Sequence, residues 1–204
     1  MSRPTRSTWT LILAAGASSR FGGPKALALW NGKTLLANCI QTAESFSGEN
    51  VLVVTGGHAE TLAPHLVGVK SIFNKNWTEG MSTSIIAGFN EIQKLDPGVN
   101  TILILPVDQP LVSREHLKKL ESKRSETDRC TLTKNTEGTI GAPAAVPREF
   151  FPRVKDLRAD RGLKSILKES EVETVVDSRS LVDVDHPDDL DNLKSNIDKP
   201  SGAQ

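Results

Sequence analysis

The amino-acid sequence predicts an α/β fold in three layers, with a mostly parallel sheet between two layers of helices. Three observations predict it. Short continuous apolar runs recur along the chain, stretches with a single apolar helical face separate them, and polar or Gly-rich turns follow several of the runs. The runs at 10–14, 51–54, 101–105 and 172–176 read as strands. Unbroken apolar runs of this length suit strands covered on both faces, as in a parallel sheet.

The helices follow from their spacing. Leu35, Leu36, Cys39, Ile40 and Ala43 share one helical face, and so do Ile85, Ile86, Phe89 and Ile92. Ser113 is placed to cap a helix through Leu117 and Leu120. Pro187 suits the first position of a last helix, with Asp188 and Asp189 near its positive end. Between 134 and 162, Pro143, Pro147 and Pro152 predict strand fragments and loops able to cover a site. Strand–helix alternation predicts helices on both sheet faces, and ligands then gather outside the carboxyl ends of the strands.

Composition narrows the function classes. The 204 residues suffice for one domain with a full core, expected over 1–195, with a frayed polar tail at 196–204. Lys+Arg and Asp+Glu both total 25, so no global charge marks a nucleic-acid or membrane partner. Any phosphate binding must come from a local arrangement. Cys39 and Cys130 stand far apart, which suits a reduced, cytoplasmic chain rather than a disulfide framework. The apolar run at 11–15 is too short for a signal core, and no stretch approaches the ~20 apolar residues of a membrane span.

The most informative segment follows the first strand: Leu13-Ala14-Ala15-Gly16-Ala17-Ser18-Ser19-Arg20-Phe21-Gly22-Gly23-Pro24-Lys25. Glycines let backbone N–H groups turn toward an anion. Arg20 offers a planar fork to phosphate oxygens and Lys25 a point charge. Two familiar phosphate motifs fail here. Gly32-Lys33-Thr34 lacks the glycine five residues earlier, where Leu27 stands, and Gly16 is not followed by the spacing of the dinucleotide fingerprint.

Carboxylates follow later strands. Asp108 sits in Leu105-Pro106-Val107-Asp108-Gln109-Pro110, between two prolines that stiffen the turn. Mg²⁺ takes one or two protein carboxylates and completes its shell with water and phosphate oxygens, a role that suits Asp108. Asp183 and Asp185 share one face of an extended segment before Pro187. His58, His65, His116 and His186 show no ligand spacing and read as surface or turn residues, with His58 after Gly56-Gly57 the one to keep in view. No nucleophile–His–Asp ordering is present.

The spacing Leu-x-Ala-Gly-x-Ser-x-Arg-x-Gly-x-x-Lys, met by Leu13, Ala15, Gly16, Ser18, Arg20, Gly22 and Lys25, resembles the signature of MobA-like nucleotidyltransferases of the molybdenum-cofactor type. The resemblance runs along nearly the whole chain. It implies a three-layer Rossmann-like nucleotidyltransferase fold. It also implies that Leu13, Ala14, Ala15, Gly16, Arg20 and Lys25 wrap a nucleoside triphosphate, with Arg20, Lys25 and Asp108 catalytic. Mg²⁺ would be held by Asp108 and by Asp185, whose segment matches the family's second metal-facing position, with Asp183 the fallback. The segment 79–88 resembles the base-recognition stretch, which points to Gly80 and Ser84. Gly141-Ala142-Pro143 and Asp160-Arg161-Gly162-Leu163 resemble acceptor-side segments. In this family Ala-Ala-Gly goes with cytidylyl enzymes and Ala-Gly-Gly with guanylyl ones, so Ala14-Ala15-Gly16 implies CTP and the molybdopterin form of the cofactor. A molybdoenzyme or its chaperone is then a possible partner. Cytidylyl members have Gly-Asp-Met-Pro where this chain has Val107-Asp108-Gln109-Pro110. The alternatives are transfer to a sugar or alcohol phosphate and a non-catalytic cofactor-binding accessory protein.

Overall fold

The computed structural model describes residues 7–197. In chain order the strands are β1 (Thr8–Ala14), β2 (Leu29–Trp30), β3 (Lys33–Thr34), β4 (Val51–Thr55), β5 (Lys70–Phe73), β6 (Thr101–Pro106), β7 (Cys130–Lys134), β8 (Ile140–Pro147) and β9 (Val172–Val176). The helices are α1 (Leu35–Ser47), α2 (Ala59–Leu62), α3 (Met81–Leu95), α4 (Arg114–Thr127), α5 (Phe151–Val154) and α6 (Pro187–Ile197). Seven strands form one sheet in the order β5-β4-β1-β6-β8-β7-β9. Its strands run parallel except β8, which pairs antiparallel with both β6 and β7.

The predicted three layers are present, and the strand alternation shows why. Successive residues of β1 enter different cores, because side chains alternate across a strand. Leu11 joins Leu52, Ile85, Phe89, Ile104 and Phe151 on the α3 face. Ile12 joins Val53, Leu36, Ile40, Leu105 and Leu117 on the α1 and α4 face. Phe89 and Phe151 meet edge to face with centroids 5.2 Å apart, a favoured aromatic geometry. Gly88 lets α3 approach β1, since a Cβ there would lie 2.3 Å from Leu11 Cδ1.

Several elements differ from the sequence reading. Pro143 and Pro147 do not break the chain into fragments, because both lie in the eight-residue interior strand β8. The register between β7 and β8 shifts at Leu132/Thr133, so Leu132 opposes Ala144 while Thr133 opposes Gly141. That irregularity removes the need for a ladder donor at Pro143. The run at 172–176 is not covered on both faces. It is the edge strand β9, only half-buried, with Glu173 paired to Arg129. Asn31 and Gly32, both at positive φ, turn the β2–β3 hairpin, as an Asn-Gly pair favours. Thr34 then caps α1 by accepting from the Ala37 N–H at 3.1 Å. Helix α6 runs to Ile197, two residues into the segment expected to fray, and 198–204 lie outside the described residues. Among the described residues no helix is long and apolar enough to cross a membrane. Cys39 and Cys130 are both buried and unpaired, and burial pushes both thiols up, Cys130 to about 12.

His116 is buried, not a surface or turn residue as its sequence suggested; it is 2% exposed. It faces the sheet from the first turn of α4, where Thr133 supplies its partner. The Thr133 hydroxyl donates to Pro143 O at 2.7 Å, so His116 Nε2 must carry the proton it shares with Thr133 Oγ1 at 2.7 Å. Burial holds the imidazole below its ordinary 6.5, opposed by Asp177 and reinforced by Lys119. A depressed histidine pKa means that the unfolded chain takes up the proton first as pH falls. The contribution to stability is therefore full above about 6.5 and is lost as pH falls toward the folded pKa. Urea midpoints should drop between pH 7 and pH 5, and His116→Gln should flatten part of that drop. An unchanged pH dependence in the variant would remove His116 from this role.

Candidate functional site

Strands β1, β4 and β6 are parallel neighbours, with Leu13 opposite both Val54 and Pro106. Their carboxyl ends therefore deliver three loops to one edge of the sheet. The glycine loop leaves β1, the Gly56-Gly57-His58 turn leaves β4, and the Asp108 turn leaves β6. Together with the start of α3 and the turn before α6 they surround a cleft of about 550 Å³.

The glycine loop is braced from behind. Gly57 N–H donates to Ala15 O at 3.2 Å, and His58 Nε2 lies 2.9 Å from Ala17 O. A Cβ at Gly56 would lie 2.4 Å from Ala15 O and 2.7 Å from Trp77 Cβ, so only glycine lets Trp77 and the loop approach so closely. On its open side the loop is unobstructed. A Cβ at Gly16, Gly22 or Gly23 would meet nothing within 4 Å. Within the loop, Ser18 accepts from the Lys25 N–H at 3.3 Å, which sets where the Lys25 side chain departs.

That side chain reaches two carboxylates from remote parts of the chain. Lys25 Nζ is 2.6 Å from Asp108 Oδ2 and 3.4 Å from Asp185 Oδ1. Arg20 Nη1 is 2.7 Å from Asp185 Oδ2. The Lys25 side chain is 13% exposed and that of Asp108 24%, against 65% for Arg20. The Lys25–Asp108 contact is therefore the sheltered one, where a charge-assisted hydrogen bond is strongest, while water screens the Arg20 pair. The two carboxylates converge on a single point, now marked by the ammonium group. Two oxygen-donor carboxylates so placed are the donor set of a hard divalent cation.

Asp183 and Asp185 do not act as one face. Asp185 turns to Lys25 and the cleft, whereas Asp183 accepts from Gln109 Nε2 at 2.9 Å and does not line the cleft. Partial desolvation raises the Asp183 pKa, opposed by the Gln109 hydrogen bond and reinforced by Asp108 and Asp185. Asp189 does more than face a helix dipole. Its Oδ2 accepts from the Asp185 and His186 N–H groups at 2.8 and 2.7 Å, closing the turn that carries Asp185. Those two backbone bonds hold its own carboxyl below the usual range.

Of the residues expected to bind nucleotide, Leu13, Ala14, Ala15, Gly16, Arg20, Lys25, Gly80 and Ser84 all line the cleft, with Asp108 and Asp185. Gly80 has φ +110, and a Cβ there would lie 2.4 Å from the Ala159 carbonyl carbon. Ser84 is not the cap of α3. It sits inside the helix, and its hydroxyl accepts from Asn74 Nδ2 at 2.9 Å. The cap comes from the 159–160 segment instead. Ala159 O accepts from the Ser82 N–H at 3.0 Å, and Asp160 Oδ1 accepts from the Met81 N–H at 3.1 Å. Asp160 lines the cleft, but its neighbour Arg161 does not.

Trp77 carried no signal in the sequence, Met81 and Asp160 only that of their resembling segments, and Asp189 only that of a helix start. The Gly56-Gly57 pair after a strand was the available pointer to Trp77. Among the described residues no group of three or more His, Cys, Asp or Glu is arranged to hold a metal, so any ion here relies on two carboxylates.

Comparison with known proteins agrees with this architecture. The purine catabolism protein PucB of Bacillus subtilis is 28% identical over 201 residues, covering 90% of this chain and 94% of its own. A probable molybdenum cofactor guanylyltransferase of Bacillus cereus strain Q1 is 34% identical over 112 residues, so the match spans about half of each chain. Among solved structures, the Rv0371c homologue of Mycobacterium sp. strain JC1 superposes with a TM-score of 0.78 at 24% identity, over 93% of this chain and 96% of that one. The Mycobacterium tuberculosis Rv0371C complex with manganese gives 0.71 at 20% identity, over 92% and 97%. At these identities the structures bear on the fold alone. Residues 10–175 match the family model of the MobA-like NTP transferase domain, and the chain belongs to that family, as a MobA-like nucleotidyltransferase domain.

Proposed function

We propose that this protein transfers CMP from CTP to the terminal phosphate of the molybdopterin form of the molybdenum cofactor, releasing pyrophosphate, with Mg²⁺ bound at Asp108 and Asp185. The observation that carries the reading is the convergence of Lys25, Arg20, Asp108 and Asp185 at the mouth of the glycine-loop cleft. Among the charged residues lining that cleft, besides His58, two cations face three carboxylates, Asp108, Asp160 and Asp185. A triphosphate entering this field needs added positive charge, which a divalent ion at Asp108 and Asp185 would supply, polarising the α-phosphate.

The chain's own residues do the rest. The glycine loop presents backbone to the triphosphate without side-chain obstruction. Arg20 and Lys25 exchange their carboxylate partners for phosphate oxygens and offset the charge that grows on the departing pyrophosphate. An acceptor phosphate oxygen attacks the α-phosphorus, one P–O bond forms and the bond to pyrophosphate breaks. A phosphate monoester has a second pKa of about 6, so the attacking group is already ionised and needs no general base. Gly80 and Ser84, which line the cleft, would read the base, and Ala15, which also lines it, would favour a pyrimidine as the Ala-Ala-Gly resemblance implies. The second acceptor class is a sugar or alcohol phosphate.

The direct test is pyrophosphate release with Mg²⁺, each of CTP, GTP and ATP, and purified molybdenum cofactor. Release with CTP alone is expected. Release with GTP or ATP instead would overturn the base assignment, and release only with a sugar or alcohol phosphate would move the acceptor. Asp108→Ala should leave the circular dichroism spectrum unchanged and lower kcat by about a hundredfold or more; a variant with full Mg²⁺-dependent turnover would sink the reading. Ala15→Gly should raise the ratio of GTP to CTP turnover. Gly80→Ala should raise the KM for nucleotide, since the added methyl collides with Ala159, and an unchanged KM would exclude α3 from base recognition.

A further inference from the structure

Gln109 is buried in the turn after β6, next to Asp108, and makes contacts that apolar packing does not require. Its Nε2 donates to Asp183 Oδ1 at 2.9 Å and to Ala142 O at 3.0 Å. Both partners are acceptors, so the amide cannot be flipped. Its Oε1 is consequently buried with no protein donor among the described residues. An orphaned buried carbonyl is unfavourable, and a side chain of similar volume without polar atoms would avoid it. An apolar side chain could not supply the two donated bonds, and these are what Gln109 adds.

Those bonds join three elements around the paired aspartates. Gln109 belongs to the Asp108 turn, Ala142 to the interior strand β8 and Asp183 to the segment that carries Asp185. The same two segments meet through their backbones, where the Val184 N–H donates to Asp108 O at 2.9 Å. One residue further on, Asp189 closes the turn at Asp185. The carrier of Asp185 is thus held at Asp183 by Gln109, at Val184 by Asp108 and at Asp185 by Asp189.

We propose that Gln109 is a positioning residue that sets the separation of Asp108 and Asp185 by tethering Asp183 to the Asp108 turn. The tether also keeps the Asp183 carboxylate out of the cleft, so that Asp185 alone of that pair faces Lys25. Residues that orient the carboxylates of a metal site commonly change its affinity when removed. The metal part of this inference rests on the proposed nucleotidyl-transfer reading; the tether itself does not.

The test uses the full chain with Gln109→Leu, which fills the volume and removes the orphaned oxygen, and Gln109→Glu, which keeps the shape and sets a carboxylate against Asp183. Two quantities are read for each: amide hydrogen exchange at Val184 and Asp185, and Mn²⁺ affinity by paramagnetic resonance. Gln109→Leu should keep the exchange of core amides such as Leu103, while Val184 and Asp185 exchange at least about tenfold faster. Mn²⁺ binding should weaken about tenfold to a hundredfold, and Gln109→Glu should weaken it as well. Unchanged exchange at Val184 and Asp185 in both variants would overturn the tether whatever the metal result. Faster exchange with unchanged Mn²⁺ affinity would overturn its role at the metal site. Faster exchange in a protein whose wild type binds no Mn²⁺ would uphold the tether and overturn the metal reading instead.

Discussion

One ammonium group joins two aspartates that lie 77 residues apart in the chain. Lys25 Nζ touches Asp108, from the turn after β6, and Asp185, from the turn before α6. Two carboxylates directed at the same point repel each other, and removing one partner of a sheltered pair leaves a charge uncompensated. Lys25 lets both point into one cleft, and Arg20 neutralises the outer edge of Asp185. The geometry of the site depends on this arrangement. Were the cations elsewhere, the Asp185 turn would have reason to swing outward, away from Asp108.

The fold prepares this meeting with backbone hydrogen bonds more than with side chains. Parallel pairing of β4, β1 and β6 brings three strand ends level, and the loops leave them in one direction. The bond from Val107 N–H to Leu13 O keeps the Asp108 turn beside the start of the glycine loop. The bond from Val184 N–H to Asp108 O then brings in the last turn of the site. The opposite wall has its own device. The 159–160 segment takes up two N–H groups at the start of α3, where helix donors lack internal partners. The stretch proposed to read the base is thereby linked to the stretch whose sequence resembles acceptor-side segments. The two walls meet at Gly80, which has no room for a side chain.

How much of this could be read from the chain depended on burial. Strands β1, β4 and β6 are covered on both faces, so their apolar runs are unbroken and they stand out. The short, largely exposed β5 has a polar pattern. Strand β8 carries Pro143 at a register shift, so neither of these fits the rule that found the central strands; the run of β9 was found as a strand, but its place at the sheet edge was not. Helices α1, α3 and α4 were readable because one face of each packs on the sheet at helical spacing. In the site, the glycine loop and the two aspartate turns are local patterns, and local patterns survive in sequence. The pairing of Lys25 with both aspartates, the brace from Trp77 and the cap from Asp160 join residues far apart in the chain. Nothing in their local spacing announces them. His116 was misread for the same reason, since its partner Thr133 lies on another element.

The central claim is that the paired cations leave their carboxylates for a triphosphate only when a divalent ion takes their place. Calorimetric titration of CTP with and without Mg²⁺ tests it most directly, with Asp108→Asn as the comparison. The expected result is binding at least about tenfold tighter with Mg²⁺ in the wild type, and little or no gain in the variant. Equal CTP affinity with and without Mg²⁺ in the wild type would contradict the exchange of partners at Lys25.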